Sequence, residues 1–147
     1  MALAASSTLV AQRAAGPVRT VNITVGDPVG ERMEYSLKQI VAKPGERLRI
    51  QLISTGQLPK VAMAHNFVLL TLGSDAKAFA EAGAPFRETD YIPAALRRQV
   101  IAATTLVGPG ERAQVVFTVP AKPGTYPYLC TFPGHYAAGM AGVLVVK

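Results

Sequence analysis

Lys43-Pro44-Gly45-Glu46-Arg47-Leu48-Arg49-Ile50-Gln51-Leu52 decides the fold class, because a Pro-Gly turn signal runs straight into strict alternation of polar and aliphatic side chains. A period of two puts Leu48, Ile50 and Leu52 on one face of a strand and Arg47, Arg49 and Gln51 on the other, the pattern of a half-buried strand. The same grammar extends in both directions. Upstream, Val21, Ile23 and Val25 alternate with Thr20, Asn22 and Thr24. Downstream, Val115, Phe117 and Val119 follow the turn Gly108-Pro109-Gly110-Glu111. Pro123-Gly124 leads into Tyr126–Cys130, and Gly142-Val143-Leu144-Val145-Val146 forms a short final strand. Short strands punctuated by Gly and Pro imply an all-β domain, a sandwich or a barrel.

One segment departs from this pattern. Ser74 or Asp75 is placed to cap a short helix through Ala76, Lys77, Ala78, Phe79, Ala80 and Glu81, with Gly83 to end it. The following stretch, with Pro85 and Pro93, suits a surface excursion. The expectation is a single β domain over residues 18–147, with a short helical flap between strands and no internal repeat. Residues 1–17, rich in Ala and Ser, are expected to be a flexible leader, a linker or an expression remnant. A secretory signal would place its basic residues ahead of the apolar run, whereas Arg13 follows it.

Composition narrows the function. The chain has 147 residues, half of them apolar and 16% charged, which suits one compact core. No apolar run reaches the roughly 18–20 residues that span a bilayer. The net charge is +6, but the fifteen Lys and Arg are scattered, with Arg97-Arg98 the only adjacent pair. A nucleic-acid binder clusters such residues with aromatics on one face, so no nucleic-acid partner is expected. The charge reads as a basic surface that would speed encounter with an acidic partner.

The chemistry concentrates in Cys130-Thr131-Phe132-Pro133-Gly134-His135, followed by Tyr136-Ala137-Ala138-Gly139-Met140. Cys130 is the only cysteine, so no internal disulfide can form. The one other histidine is His65, in Met63-Ala64-His65-Asn66. Every Cys and His therefore falls into one set. A thiolate, two imidazoles and a thioether form a soft, mixed ligand list, and His₂Cys with a weak axial Met describes a blue, or type 1, copper site. A strand would deliver Cys130 to the end of a sheet, and the Thr-Phe-Pro-Gly turn would bring His135 back to the same ion. Pro133 and Gly134 would make that turn tight and stiff. His65, far upstream, can join only through the tertiary fold. Backbone N–H groups of Asn66 and Phe132 are placed to draw charge from the sulfur, and the Asn66 side chain to tie the two segments together.

Other chemistries fit less well. A structural zinc site wants four strong ligands, and the fourth here would be a thioether. A Cys–His nucleophile needs an orienting group and a substrate pocket that no motif supplies. A copper oxidase or copper nitrite reductase needs further His-rich sites, and no histidine is left for one. The chain is thus expected not to be an enzyme. A copper carrier or storage protein stays open as the alternative to an electron carrier.

From about Val18 to Lys147 the sequence resembles the azurins and auracyanins, members of the cupredoxins. The resemblance rests on Gly56-Gln57-Leu58-Pro59-Lys60, on Met63-Ala64-His65-Asn66, on the run from Val100-Ile101-Ala102 to Gly110-Glu111, and on Cys130–His135. It implies an eight-stranded Greek-key β-sandwich, one type 1 copper held by His65, Cys130, His135 and Met140, and single-electron shuttling. It also implies transient redox partners such as cytochromes or an oxidoreductase complex. The expected location is the periplasm or another extracytoplasmic space, with a membrane tether through the N-terminal segment left open. By the same resemblance, Met63, Pro133, Ala137 and Ala138 would form an apolar partner-docking patch.

The departures carry information. Four residues, Tyr136 to Gly139, separate His135 from Met140, one more than in azurins and closer to auracyanin. Azurins carry a disulfide that this chain cannot make. Ala64 stands where azurins have Gly, which leaves a weak carbonyl contact to the metal open. Phe67 replaces the azurin Trp, and Ser54 stands at the place of a titrating non-ligand His. With no spare imidazole, the potential is expected to vary little with pH near neutrality.

Overall fold

The computed structural model describes residues 16–29 and 32–147, so nearly all of the expected leader lies outside the described residues. Eight strands are present among them: β1 (Val18–Val25), β2 (Gln39–Ala42), β3 (Arg47–Ser54), β4 (Val68–Leu70), β5 (Val100–Ala103), β6 (Arg112–Thr118), β7 (Gly124–Leu129) and β8 (Ala141–Val146). A helix, α1 (Ala76–Gly83), and two 3₁₀ turns, Arg87–Thr89 and Ala94–Gln99, lie between β4 and β5. No helix among the described residues is long and apolar enough to cross a membrane.

The strands form two sheets, one ordered β1-β3-β6 and the other β2-β8-β7-β4-β5. β1 runs parallel to β3, and β2 parallel to β8, while the remaining neighbours are antiparallel. Parallel neighbours cannot share a hairpin. The chain therefore crosses to the opposite sheet between them, which gives the expected Greek-key sandwich. Alternation makes the core: Leu48, Ile50 and Leu52 of β3 are fully buried, with Val21, Ile23 and Val25 of β1 beside them. They face Phe67, which immediately precedes β4, and Leu69, Tyr126, Tyr128 and Leu144 of the second sheet in one cluster.

β4 shows why the flap matters. All three of its residues are buried, so it lacks alternation. Leu69 belongs to the main core, whereas Val68 and Leu70 pack outward against Phe79 of α1, Ile92 and Leu129. The helix starts as expected, with the Asp75 carboxylate accepting from the Ala78 N–H at 3.0 Å. The helix ends at Gly83 as expected, but without a left-handed cap, since Ala84 at the C-cap stays right-handed with φ −50°. Gly is required there for space, because a Cβ would sit 2.1 Å from the Tyr91 carbonyl oxygen.

Strand pairing also places the candidate site. β7 ends at Leu129, which pairs with both Val68 of β4 and Ala141 of β8. The loop 130–140 and the segment 64–67 therefore meet at the same end of the five-stranded sheet.

Candidate metal centre

His65, Cys130 and His135 converge, with one donor atom from each lying within 4.8 Å of the other two. They are sealed from solvent, at 1%, 0% and 2% exposure. Cys130 Sγ and His135 Nδ1 are 3.4 Å apart, and the two imidazole rings lie 4.9 Å apart centre to centre. His65 is held by an isolated bridge to the segment after β5. Its N–H donates to the Val107 carbonyl at 3.0 Å, and the Val107 N–H donates back at 2.8 Å.

The loop carrying the other donors is stitched by its own backbone. The His135 N–H donates to Phe132, Ala138 to Gly134, Gly139 to Tyr136, and Met140 to His135, at 2.9–3.1 Å. The Cys130 N–H closes the ring on the Met140 carbonyl at 3.2 Å. Gly134 and Gly139 adopt φ of 84° and 98°, a region that other residues enter at a cost. Met140 is fully buried in the cluster that contains Cys130. Ala64 is buried beside His65, and Met63 is half-buried.

The surroundings set the donors' chemistry. The Cys130 sulfur accepts backbone N–H bonds from Asn66 and Phe132, yet burial outweighs them and pushes its thiol up to about 12. Burial, followed by the neighbouring His65, lowers His135 to about 4. At neutral pH the metal-free site thus holds a protonated thiol and a neutral His135 imidazole. A soft sulfur and two nitrogens in a small, dry space suit a copper ion.

Three residues outside the sequence reading complete the site. Thr131 forms one half of a clasp with Asn66. Asn66 Nδ2 donates to Thr131 Oγ1 at 2.8 Å, and the Thr131 N–H donates to Asn66 Oδ1 at 2.9 Å. Both side chains also donate to the Asp90 carbonyl, at 3.2 and 2.7 Å. Asp90 and Tyr91 both have positive φ, 53° and 59°, which aims that carbonyl into the clasp. Tyr91 then stands edge-on to Phe132, whose ring lies 4.7 Å from that of His135. Nothing in the local sequence marks two successive left-handed residues when the second is Tyr.

Pro133, Ala137 and Ala138 are exposed around this end. A shallow groove between α1 and the loop, lined by Ala80, Phe132, Pro133, Tyr136 and Ala137, adjoins them.

Residues 21–147 match the family described as copper binding proteins, plastocyanin/azurin family. The chain belongs to this family. Among its relatives, this cupredoxin is 40% identical over 118 residues to azurin-2 of Alcaligenes xylosoxydans xylosoxydans, covering 78% of this chain and 89% of that protein. It is 32% identical over 131 residues to auracyanin-B of Chloroflexus aurantiacus, covering 88% of this chain but only 53% of the longer relative. The solved structure of auracyanin A, a "blue" copper protein from the green thermophilic photosynthetic bacterium Chloroflexus aurantiacus, superposes with a TM-score of 0.74 at 31% identity. That match covers 89% of this cupredoxin and the whole of auracyanin A. The buried His-Cys-His group of this cupredoxin fits one type 1 copper.

Proposed function

We propose that this cupredoxin carries single electrons between redox proteins, with His65, Cys130 and His135 as the strong ligands of one copper and Met140 as the weak axial ligand. One observation carries the reading: a thiol and two imidazoles converge in a site closed to solvent and held by backbone hydrogen bonds. Copper supplies the Cu(I)/Cu(II) couple. The protein's part is to keep the donors in place through both states, so that little energy goes into rearrangement. The N–H groups of Asn66 and Phe132 at the sulfur withdraw charge from the thiolate and favour the reduced state. Ala64 is the candidate for a weak carbonyl contact.

Electrons would pass at the loop's surface, where Met63, Pro133, Ala137 and Ala138 offer a small apolar patch for brief contacts. The partners would be redox proteins such as cytochromes or an oxidoreductase complex, met in the periplasm or another extracytoplasmic space. Residues 18–147 would form the working domain, with residues 1–17 as leader, linker or tether. Both histidines serve this one site, so the chain's own histidines cannot build a second, substrate-binding copper centre, which supports a carrier over an enzyme.

Reversible voltammetry of the copper-loaded protein in the presence of a Cu(I) chelator tests this reading. An electron carrier keeps its copper and its wave over repeated cycles. Loss of copper to the chelator within the reduced half of a cycle would instead support a copper carrier or storage protein.

A further inference from the structure

Asn66 commits every polar group it has. Its N–H goes to the Cys130 sulfur, and its side chain to Thr131 and the Asp90 carbonyl. Its own carbonyl accepts the Tyr35 hydroxyl at 2.6 Å, from a residue 31 positions away. Tyr35 is 2% exposed and lies outside both ligand-bearing segments, on the stretch between β1 and β2. Its backbone is fixed by a bridge to Val25, and its ring stands edge-on to Phe67 and Tyr128. Burial above all holds its phenol well above the usual range, so it remains a donor.

A buried Tyr could be in this place for packing alone, its hydroxyl taking whichever carbonyl is near. Tyr128 is such a case: its hydroxyl donates to the Leu37 carbonyl at 2.5 Å and makes no bond to the site. The Tyr35 bond differs because it ends on Asn66, one of the two residues whose N–H reaches the sulfur.

We infer that Tyr35 is a positioning residue for the copper centre, its hydroxyl holding the Asn66 main chain so that the Asn66 N–H stays aimed at Cys130. The inference rests on the electron-transfer reading for its effect on potential, but the positioning itself does not need the metal. Loss of the hydroxyl frees the carbonyl, loosens the N–H···S contact and leaves more charge on the thiolate. The oxidised state then gains.

Tyr35→Phe and Tyr128→Phe, each removing one buried hydroxyl, separate the two roles. In the copper-loaded protein, Tyr35→Phe is expected to shift the equilibrium with a fixed redox mediator about threefold towards the oxidised form, the weight of one modest hydrogen bond. It should also move the thiolate-to-copper absorption band, while Tyr128→Phe does neither. In the metal-free protein, Tyr35→Phe should speed hydrogen exchange of the Asn66 amide severalfold relative to Tyr128→Phe. In the parent protein, a slowly exchanging Tyr35 hydroxyl proton should be visible by NMR, whether or not the variants fold. An absent hydroxyl signal, or equal effects from the two substitutions, overturns the assignment. A parent protein that binds copper without an intense band would count against the electron-transfer reading alone, and the Asn66 exchange rates would still decide the role of Tyr35.

Discussion

Asn66 and Thr131 hold each other twice: the Asn66 amide donates to the Thr131 hydroxyl at 2.8 Å and the Thr131 N–H donates to the Asn66 carbonyl oxygen at 2.9 Å. The pair joins residues 65 positions apart, each the immediate successor of a proposed ligand, His65 and Cys130. A fixed separation between those two donors follows without any metal. The spacing of these two proposed ligands is thus restrained by the protein itself.

Asn66→Ala should remove that restraint and leave the Thr131 N–H buried without its partner. A loss of about 2–4 kcal/mol in metal-free stability is expected, since unsatisfied buried donors cost more than the bond itself contributes. Thr131→Val should cost about 1–2 kcal/mol, because the N–H bond to Asn66 survives. Denaturant titration of the copper-free variants measures both. Losses below about 0.5 kcal/mol for Asn66→Ala would show that the clasp is incidental.

Gly83→Ala tests the flap's role. Its methyl group would meet the Tyr91 carbonyl, a backbone atom that cannot swing away. A cost of about 1–3 kcal/mol is expected from forced displacement. The shift should also reach Asp90 and disturb the copper spectrum, while an unchanged spectrum would uncouple the flap from the centre.

Copper uptake should release a proton. With the Cys130 thiol near 12 and His135 near 4 in the metal-free state, the thiol alone among these two must ionise at neutral pH. About one proton per ion is expected on loading in weak buffer, with affinity falling about tenfold per unit drop in pH. Near-zero release in a pH-indicator titration would mean that sulfur is not a ligand.

Spectroelectrochemical titration should find the potential nearly flat across the neutral range, because His65 and His135 are the only histidines and both lie in the site. A slope near one proton per electron would require a titrating group coupled to the centre that these residues do not supply.

Ala138→Asp should slow electron transfer to partners by about tenfold at low ionic strength, since a rim charge acts mainly on association. The copper band should survive. Unchanged rates with several partners would move the docking patch elsewhere.

The strands that alternate were legible, as β3 and β1 show, because one face of each meets water. β4 was not: with the core on one side and α1 on the other, it has no polar face to mark its period. The donors could be read from the scarcity of Cys and His. Their stiffness could not, because it depends on Asp90, Tyr91, Thr131 and Tyr35, residues of ordinary type whose role comes only from where the fold puts them. Gly83 ends α1 as its position suggests, but for a reason of the same hidden kind. A glycine near a helix terminus suggests a left-handed cap, but Gly83 is there to let Tyr91 approach.

The most direct test of the copper centre is an absorption spectrum during titration of the metal-free protein with Cu(II). An intense band at about 600 nm, saturating at one ion per chain and lost in Cys130→Ser, is expected of a thiolate–copper site. A colourless protein at saturation, or a band that survives Cys130→Ser, would contradict the assignment of His65, Cys130 and His135 to a blue copper centre.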